Sequence, residues 1–281
     1  MKFDIIIGNP PWNKPKIGKL KGSYGGRTLW DKFIIKSLEC LKPNGYLGFI
    51  NPAGWRGVGQ LNHLWNTMKH KQIVYLHIYS VNDGGNYFNV GSRFDLYVLQ
   101  NTDNTIPTEV IDELGETHQF KLNDMPFLPN YGYREIGSIL TNIQEGVDVI
   151  YDTSYHTSKK HMSKTKTEKF KYPIVHSITN KGLVFWYSDI NEKGHFGVPK
   201  VILNKNGNQY SYKEQNDYDG KFGMSELSFG LPIKSKREGD LILKAIETPI
   251  FKKIIAGTKW ATFQTDYRMF KYFRKDWYKF S

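Results

Sequence analysis

Cysteine is nearly absent from this chain: Cys40 stands alone among 281 residues. One thiol excludes a disulfide framework and any multi-cysteine zinc site within a single chain. No apolar run approaches the ~20 residues that a membrane-spanning helix needs, and the N-terminus opens on a strand-like stretch without a signal-peptide core. These absences point to a soluble intracellular chain. The sequence also lacks a nucleophile elbow, a phosphate-cradling glycine loop and a paired-carboxylate signature. The eight histidines, among them His63, His70, His77, His156, His161 and His176, show no metal-ligand spacing combined with acidic residues. Acidic residues are scarce, with 27 Asp and Glu against 39 Lys and Arg for a net charge of +12.

Hydrophobic residues make up 39% and aromatic residues 15%, enough core formers to exclude a disordered chain. The length suits two domains. Charge is blocked along the sequence: residues 1–101 hold 13 Lys/Arg against 5 Asp/Glu (+8), 102–150 hold 2 against 9 (−7), and 151–281 hold 24 against 13 (+11). Two basic blocks around an acidic connector suit a common polyanion, although solvated lysine would give the same composition.

The first hundred residues alternate strand and helix. Phe3 to Ile7 is apolar apart from Asp4, as expected of a parallel strand buried on both faces and ended by Gly8. Trp30, Phe33, Ile34, Leu38 and Leu41 recur at helical spacing until Lys42-Pro43-Asn44-Gly45 stops the helix. Tyr46 to Ile50 reads as a strand, and Leu61, Leu64, Trp65 and Met68 as a second helix. Ile73 to Tyr79 and Arg93 to Leu99 read as strands joined by the glycine-rich Asn82–Asn86 stretch. That link is too short for a crossover helix and predicts a hairpin turn at Gly84-Gly85 between antiparallel strands. Later strands are expected at Ile174 to Ile178, Leu183 to Tyr187 and Lys200 to Leu203, with one helix from Lys236 to about Ile255 and a mobile basic loop over 159–171. The aromatics of the C-terminal tail, Trp260 to Tyr278, alternate with Arg268, Lys271, Arg274 and Lys275, which suits base stacking and phosphate binding or core packing.

Asn9-Pro10-Pro11-Trp12 follows the first strand, at the carboxyl end where α/β sheets place their ligands. Two prolines fix the backbone and remove two N–H donors, which leaves the Asn9 side-chain oxygen and the Pro10 carbonyl free to accept from one amino group. Held so, an exocyclic amine keeps its lone pair out of the purine ring and can attack an electrophilic methyl. Trp12 offers a flat face on which an extruded base could stack. A proline-rich turn with Trp12 as a lid on the core is the structural alternative.

The stretch from Phe3 to Trp12 resembles the catalytic motif of amino-group DNA methyltransferases, specifically the adenine-N6 enzymes of the gamma-class, restriction–modification type. Leu38 to Pro52, with Asn51-Pro52, looks like the next block of that family. Tyr87-Phe88-Asn89-Val90 resembles the later block whose Phe contacts the flipped adenine, and Pro199 to Leu203 looks more loosely like the target-recognition region. The family binds S-adenosylmethionine through a glycine-rich loop that precedes the catalytic motif in gamma-class order. No Phe-x-Gly-x-Gly turn occurs among the glycines from Gly182 to Gly257, where a permuted order would place it.

The resemblance therefore implies an α/β chain: the C-terminal half of a Rossmann-like methyltransferase sheet over residues 1–120, followed by a mixed α+β target-recognition domain over 121–281. It implies catalytic roles for Asn9, Pro10, Pro11 and Trp12, a weak cofactor contact at Asn9 and a substrate contact at Phe88. Lys14, Lys16, Lys19, Lys21 and Arg27 would lie beside bound duplex and hold phosphates, or form a solvated loop. The implied cofactor is S-adenosylmethionine. The implied partners are double-stranded DNA and a second chain carrying the cofactor half, in the cytoplasm or on the nucleoid. A non-catalytic DNA-binding remnant or specificity subunit, and a protein glutamine-N5 methyltransferase, are the alternatives.

Overall fold

The computed structural model describes residues 1–13, 28–261 and 263–280, which divide into two compact units. Unit 1 spans residues 1–131 with 260–262; unit 2 spans 132–259 with 263–281. No helix among the described residues is long and apolar enough to cross a membrane.

Unit 1 is built on β1 (Phe3–Gly8), α1 (Trp30–Cys40), β2 (Leu41–Pro52), α2 (Asn62–Met68), β3 (Lys71–Tyr79), α3 (Val81–Phe88), β4 (Phe94–Asp103), β5 (Thr108–Ile111) and β6 (Thr117–Phe120). The six strands form one sheet in the order β1-β2-β4-β3-β5-β6. β1 and β2 run parallel around α1, and β4 lies antiparallel between β2 and β3. The antiparallel pairing expected of the last two strands is present. Their connection is not a hairpin, however, but the helix α3.

That helix forms despite two central glycines, which have poor helix propensity. Ser80 and Asp83 close a capping box: the Asp83 N–H donates to the Ser80 hydroxyl at 3.2 Å, and the Ser80 N–H donates to Asp83 Oδ2 at 2.8 Å. Gly84 is required sterically, because a Cβ there would lie 2.1 Å from the Ser92 carbonyl oxygen. Asn89, left-handed at φ 53°, caps the C-terminal end.

The two faces of this sheet differ. Leu47 and Phe49 of β2, Asp95, Tyr97 and Leu99 of β4, and Leu76 and Ile78 of β3 are paired across the strands and buried. Trp55 packs over this face against Tyr97 and against Trp65 of α2, at centroid distances of 5.3 and 5.8 Å. The opposite face carries Ile7, Gly48, Val98 and Tyr75 in one row and Ile50, Leu96 and His77 in the next, all at least partly exposed. β1 is an edge strand, and Ile5 and Ile7 are 61% and 81% exposed. The expectation of a strand buried on both faces is corrected here: an apolar run reports affinity for a sheet, not the number of layers that cover it.

The interior of unit 1 is pinned by a charge. Arg56, in the 3₁₀ turn after β2, and Asp95 of β4 are both fully buried and bidentate, at 2.7 and 3.0 Å. The guanidinium also donates to the carbonyls of Leu128 and Pro129 and to the Asn130 side chain. Burial raises the Asp95 carboxyl above its ordinary range, against the pull of Arg56.

Unit 2 contains α4 (Tyr133–Ile139), β7 (Met162–Ser163), β8 (Tyr172–Thr179), β9 (Gly182–Ser188), β10 (Lys200–Asn204), β11 (Asn216–Asp217), β12 (Gly223–Met224), β13 (Ser228–Pro232), α5 (Lys236–Glu247) and α6 (Pro249–Gly257). Two sheets, β11-β10-β13 and β12-β8-β9-β7, share a core of Val175, Ile178, Ile202 and Met224. The single late helix expected from 236 to 255 is two, because Thr248 ends α5 and caps α6, with Pro249 at its first position. Lys200 is buried, and its ammonium donates to Asp217 and to the carbonyls of His195 and Val198, so all three protons are used structurally. The tail aromatics Phe270, Phe273 and Trp277 are buried as well, and Trp277 stacks on Phe251 at 5.0 Å.

Removing one partner of a buried ion pair strands the other. Arg56→Met is expected to destabilise unit 1 by about 3–5 kcal/mol, read as a lower urea midpoint at unchanged slope. A loss below about 1 kcal/mol would show that Asp95 is neutral and that the pair contributes little.

Candidate active site

The first strand ends where its backbone can no longer donate. After Gly8, Pro10 is buried while Asn9 and Pro11 are exposed and Trp12 is half-buried. These four residues, with Asn13, Phe88 and Val90, line an open pocket of about 360 Å³. Among the described residues every lining side chain is uncharged, which suits a neutral planar group.

Trp12 is fixed from three sides. Its indole N–H donates to Asn9 Oδ1 at 3.2 Å, Phe88 meets its ring edge-on at a centroid distance of 5.6 Å, and Phe94 lies behind at 6.4 Å. The Asn9 oxygen, free as the sequence presents it, therefore already accepts one hydrogen bond and keeps one lone pair. No backbone N–H among the described residues reaches the Pro10 carbonyl. Asn9 and Pro10 thus offer two acceptor positions side by side at the rim of an aromatic pocket.

Phe88 reaches the pocket because α3 ends on it and Asn89 turns the chain. Phe94 supports it from β4 at 4.9 Å, and Tyr79 stacks on Phe94 at 4.5 Å with the rings 7° apart. No motif in the sequence singles out Tyr79 or Phe94. Their signal is register alone, since they face each other as the last residue of β3 and the first of β4. Burial holds the Tyr79 hydroxyl above its ordinary value and the His77 imidazole below its own, so both favour their neutral forms beside the pocket.

Lys14, Lys16, Lys19, Lys21 and Arg27 lie outside the described residues. The chain leaves and re-enters at Asn13 and Thr28, which form an isolated antiparallel bridge, and the Leu29 N–H donates to the Trp12 carbonyl at 3.1 Å. Asp112, Glu116 and His118 come within 4.8 Å of one another. Asp112 already accepts from the N–H groups of Leu114 and Glu116 and pairs with His118, which makes the cluster a hairpin device of β5 and β6.

Residues 1–82 match the family described as the Eco57I restriction-modification methylase. This match holds both the Asn-Pro-Pro-Trp pocket wall and Asn51-Pro52. An uncharacterized adenine-specific methylase of Mycoplasma pneumoniae is 40% identical over 55 residues, 20% of this chain and 12% of that one. A relative from Methanocaldococcus jannaschii, whose name joins a type II restriction enzyme to a methyltransferase, is 36% identical over 83 residues, 26% of this chain and 7% of its own. The chain therefore matches only a small share of the length of either curated relative. Among solved structures, the type IIL restriction-modification enzyme MmeI, in complex with DNA, superposes with a TM-score of 0.53 over 92% of this chain and 45% of that one at 11% identity. That likeness is one of fold.

Because the Gly84 position has no room for a side chain, Gly84→Ala should displace α3 from the backbone of Val90 and Ser92 and cost about 1–3 kcal/mol. Chemical denaturation measures it; unchanged stability would mean that α3 adjusts freely and does not fix Phe88.

Proposed function

We propose that the chain is the catalytic and target-recognition portion of a site-specific DNA adenine-N6 methyltransferase of the restriction–modification type. Residues 1–120 would carry the chemistry and residues 121–281 would read the duplex. The observation that carries this reading is the uncharged pocket in which Asn9 and Pro10 present acceptors beside the rings of Trp12 and Phe88. The Eco57I match over the same residues and the adenine-specific relative support it. A net charge of +11 over 151–281 favours DNA over a peptide amide as the target.

In this reading an adenine turned out of the duplex enters the pocket and meets Trp12, with Phe88 at its edge. Its two amino hydrogens go to the remaining Asn9 lone pair and the Pro10 carbonyl. That geometry localises the nitrogen lone pair and aims it, and positioning rather than covalent catalysis supplies the rate. Pro11 keeps the backbone rigid, so the acceptors need no reorganisation at the moment of reaction.

The family's methyl donor is S-adenosylmethionine, whose sulfonium supplies an electrophilic methyl when bound. The residues of this chain fit it poorly: among the described residues Asn9 alone directly follows β1 with a polar side chain to meet it, and no Phe-x-Gly-x-Gly turn stands in the sequence. The outer edge of β1 supports completion from elsewhere. It pairs with nothing among the described residues, and Phe3, Ile5 and Ile7 are exposed beside Phe33 in a groove of about 410 Å³. An apolar open edge invites a further strand, so a partner chain or segment bearing the cofactor loop would both cover it and complete the site.

Two measurements test the reading. Titration of the 281-residue chain with S-adenosylmethionine should give no micromolar binding, and its mass in solution should exceed that of a monomer. Micromolar binding by a well-behaved monomer overturns the need for a partner. With a duplex bearing 2-aminopurine at an unpaired target position, the chain should change the probe's fluorescence. Trp12→Ala should then weaken binding by about 1–3 kcal/mol, whereas Asn9→Ala should leave affinity within a few fold because phosphates dominate it. Absence of any fluorescence change would remove the base-binding role of the pocket.

A further inference from the structure

A second groove, of about 540 Å³, adjoins the motif pocket and shares Val90 with it. Its wall is one face of α3. Asn82, Asn86 and Asn89 fall at helical spacing with Gly85 between them, and all four are exposed. A Cβ at Gly85 or Gly91 would meet nothing within 4 Å, so the backbone here is open to close approach. None of the three carboxamides is bound to another described residue.

The charge pattern around this face is unusual for the chain. Although the net charge is +12, no Lys or Arg occurs between Lys71 and Arg93. The single acidic residue there, Asp83, is spent on Ser80 in the capping box. A surface that held phosphates would carry cations; three neutral carboxamides, each with donors and an acceptor, match the edges of bases. From Asn82 to Asn89 the helix rises about 10 Å, the span of about three nucleotide steps on one strand.

We infer that the Asn82–Asn86–Asn89 face of α3 binds the base edges of the nucleotides flanking the extruded adenine and contributes to target selection. The inference rests on the proposed DNA methyltransferase reading and assigns to α3 a role separate from that of Phe88. Phe88 holds the base that leaves the stack, and the asparagines read neighbours that stay near it.

The test uses the 281-residue chain and a pool of duplexes in which an unpaired adenine is flanked by randomised bases, with the bound fraction sequenced. The wild-type chain is expected to enrich particular bases within three positions of the adenine. Asn82→Ala and Asn86→Ala, and Asn89→Gly to preserve the left-handed cap, should each reduce that enrichment on the order of tenfold at one position. Affinity for a duplex without the adenine should stay within twofold. Asn86→Gln should restore part of the preference, which a structural lesion would not allow. Independently, 5-iodouracil placed at the flanking positions should crosslink to the tryptic peptide of residues 72–93. Preferences identical in variants and wild type, no flanking preference in the wild type, or crosslinks confined to other peptides would each overturn the role of α3. Failure of the wild-type chain to bind any duplex would instead overturn the methyltransferase reading, and the role of α3 with it.

Discussion

A guanidinium without access to solvent dictates how unit 1 is assembled. Arg56 can lie in an apolar interior only if its donors are met, and its partners come from two separate stretches: Asp95 of β4, and the consecutive residues Leu128, Pro129 and Asn130. Leaving any of them unmet costs more than the pair gains, so the arrangement specifies position more than it adds stability. It fixes the turn after β2 against the start of β4. Phe94 is the neighbour of Asp95, and Phe94 backs both Trp12 and Phe88. The pocket therefore inherits its rear wall from a buried charge on the other face of the same strand.

The front of the pocket has a different origin. Trp12 is held by a hydrogen bond to Asn9, by edge contact with Phe88, and by the Leu29 N–H that donates to its carbonyl. A rigid rear and a locally tethered front suit a ligand that must enter from outside and be gripped flat. The hydrogen bond from Trp12 takes one lone pair of Asn9, which narrows the directions from which an amino hydrogen can approach. On the proposed reading, orientation of the base and orientation of the ring would thereby be coupled through one oxygen.

What the sequence made legible was local. Asn9-Pro10-Pro11-Trp12 could be placed at a strand end because the prolines themselves define that backbone, and antiparallel pairing of β3 and β4 followed from the length of their connection. The helix α3 was hidden because glycine propensity argued against it, while the deciding terms were a capping box and a close backbone approach at Gly84. The exposure of Ile5 and Ile7 was hidden for a related reason, since a run of apolar residues does not state how many layers cover it. Tyr79 and Phe94 enter the site through cross-strand register, which spacing along one strand cannot supply. The break at Thr248 was visible in the Thr-Pro pair, and the apolar periodicity running through it concealed the boundary.

Charge, too, reads differently once neighbours are placed. In unit 2 the late basic residues are partly spent: Arg268 is bidentate with Asp266, Arg274 pairs with Asp276, and Lys200 is consumed by Asp217. The tail aromatics that alternate with them are largely core, so that segment is a poor stacking surface. The stretch from Lys159 to Lys171 behaves otherwise. Lys159, Lys160, Lys164 and Lys166 are exposed, Lys169 meets Asp189 only at 3.7 Å, and short turns of Ser163 and Thr167 hold the backbone. Cations that remain free on an ordered turn attract a polyanion through counterion release and carry no sequence information. On the proposed reading such cations would supply affinity, and part of the base discrimination would fall to uncharged groups such as the asparagine face of α3 in unit 1.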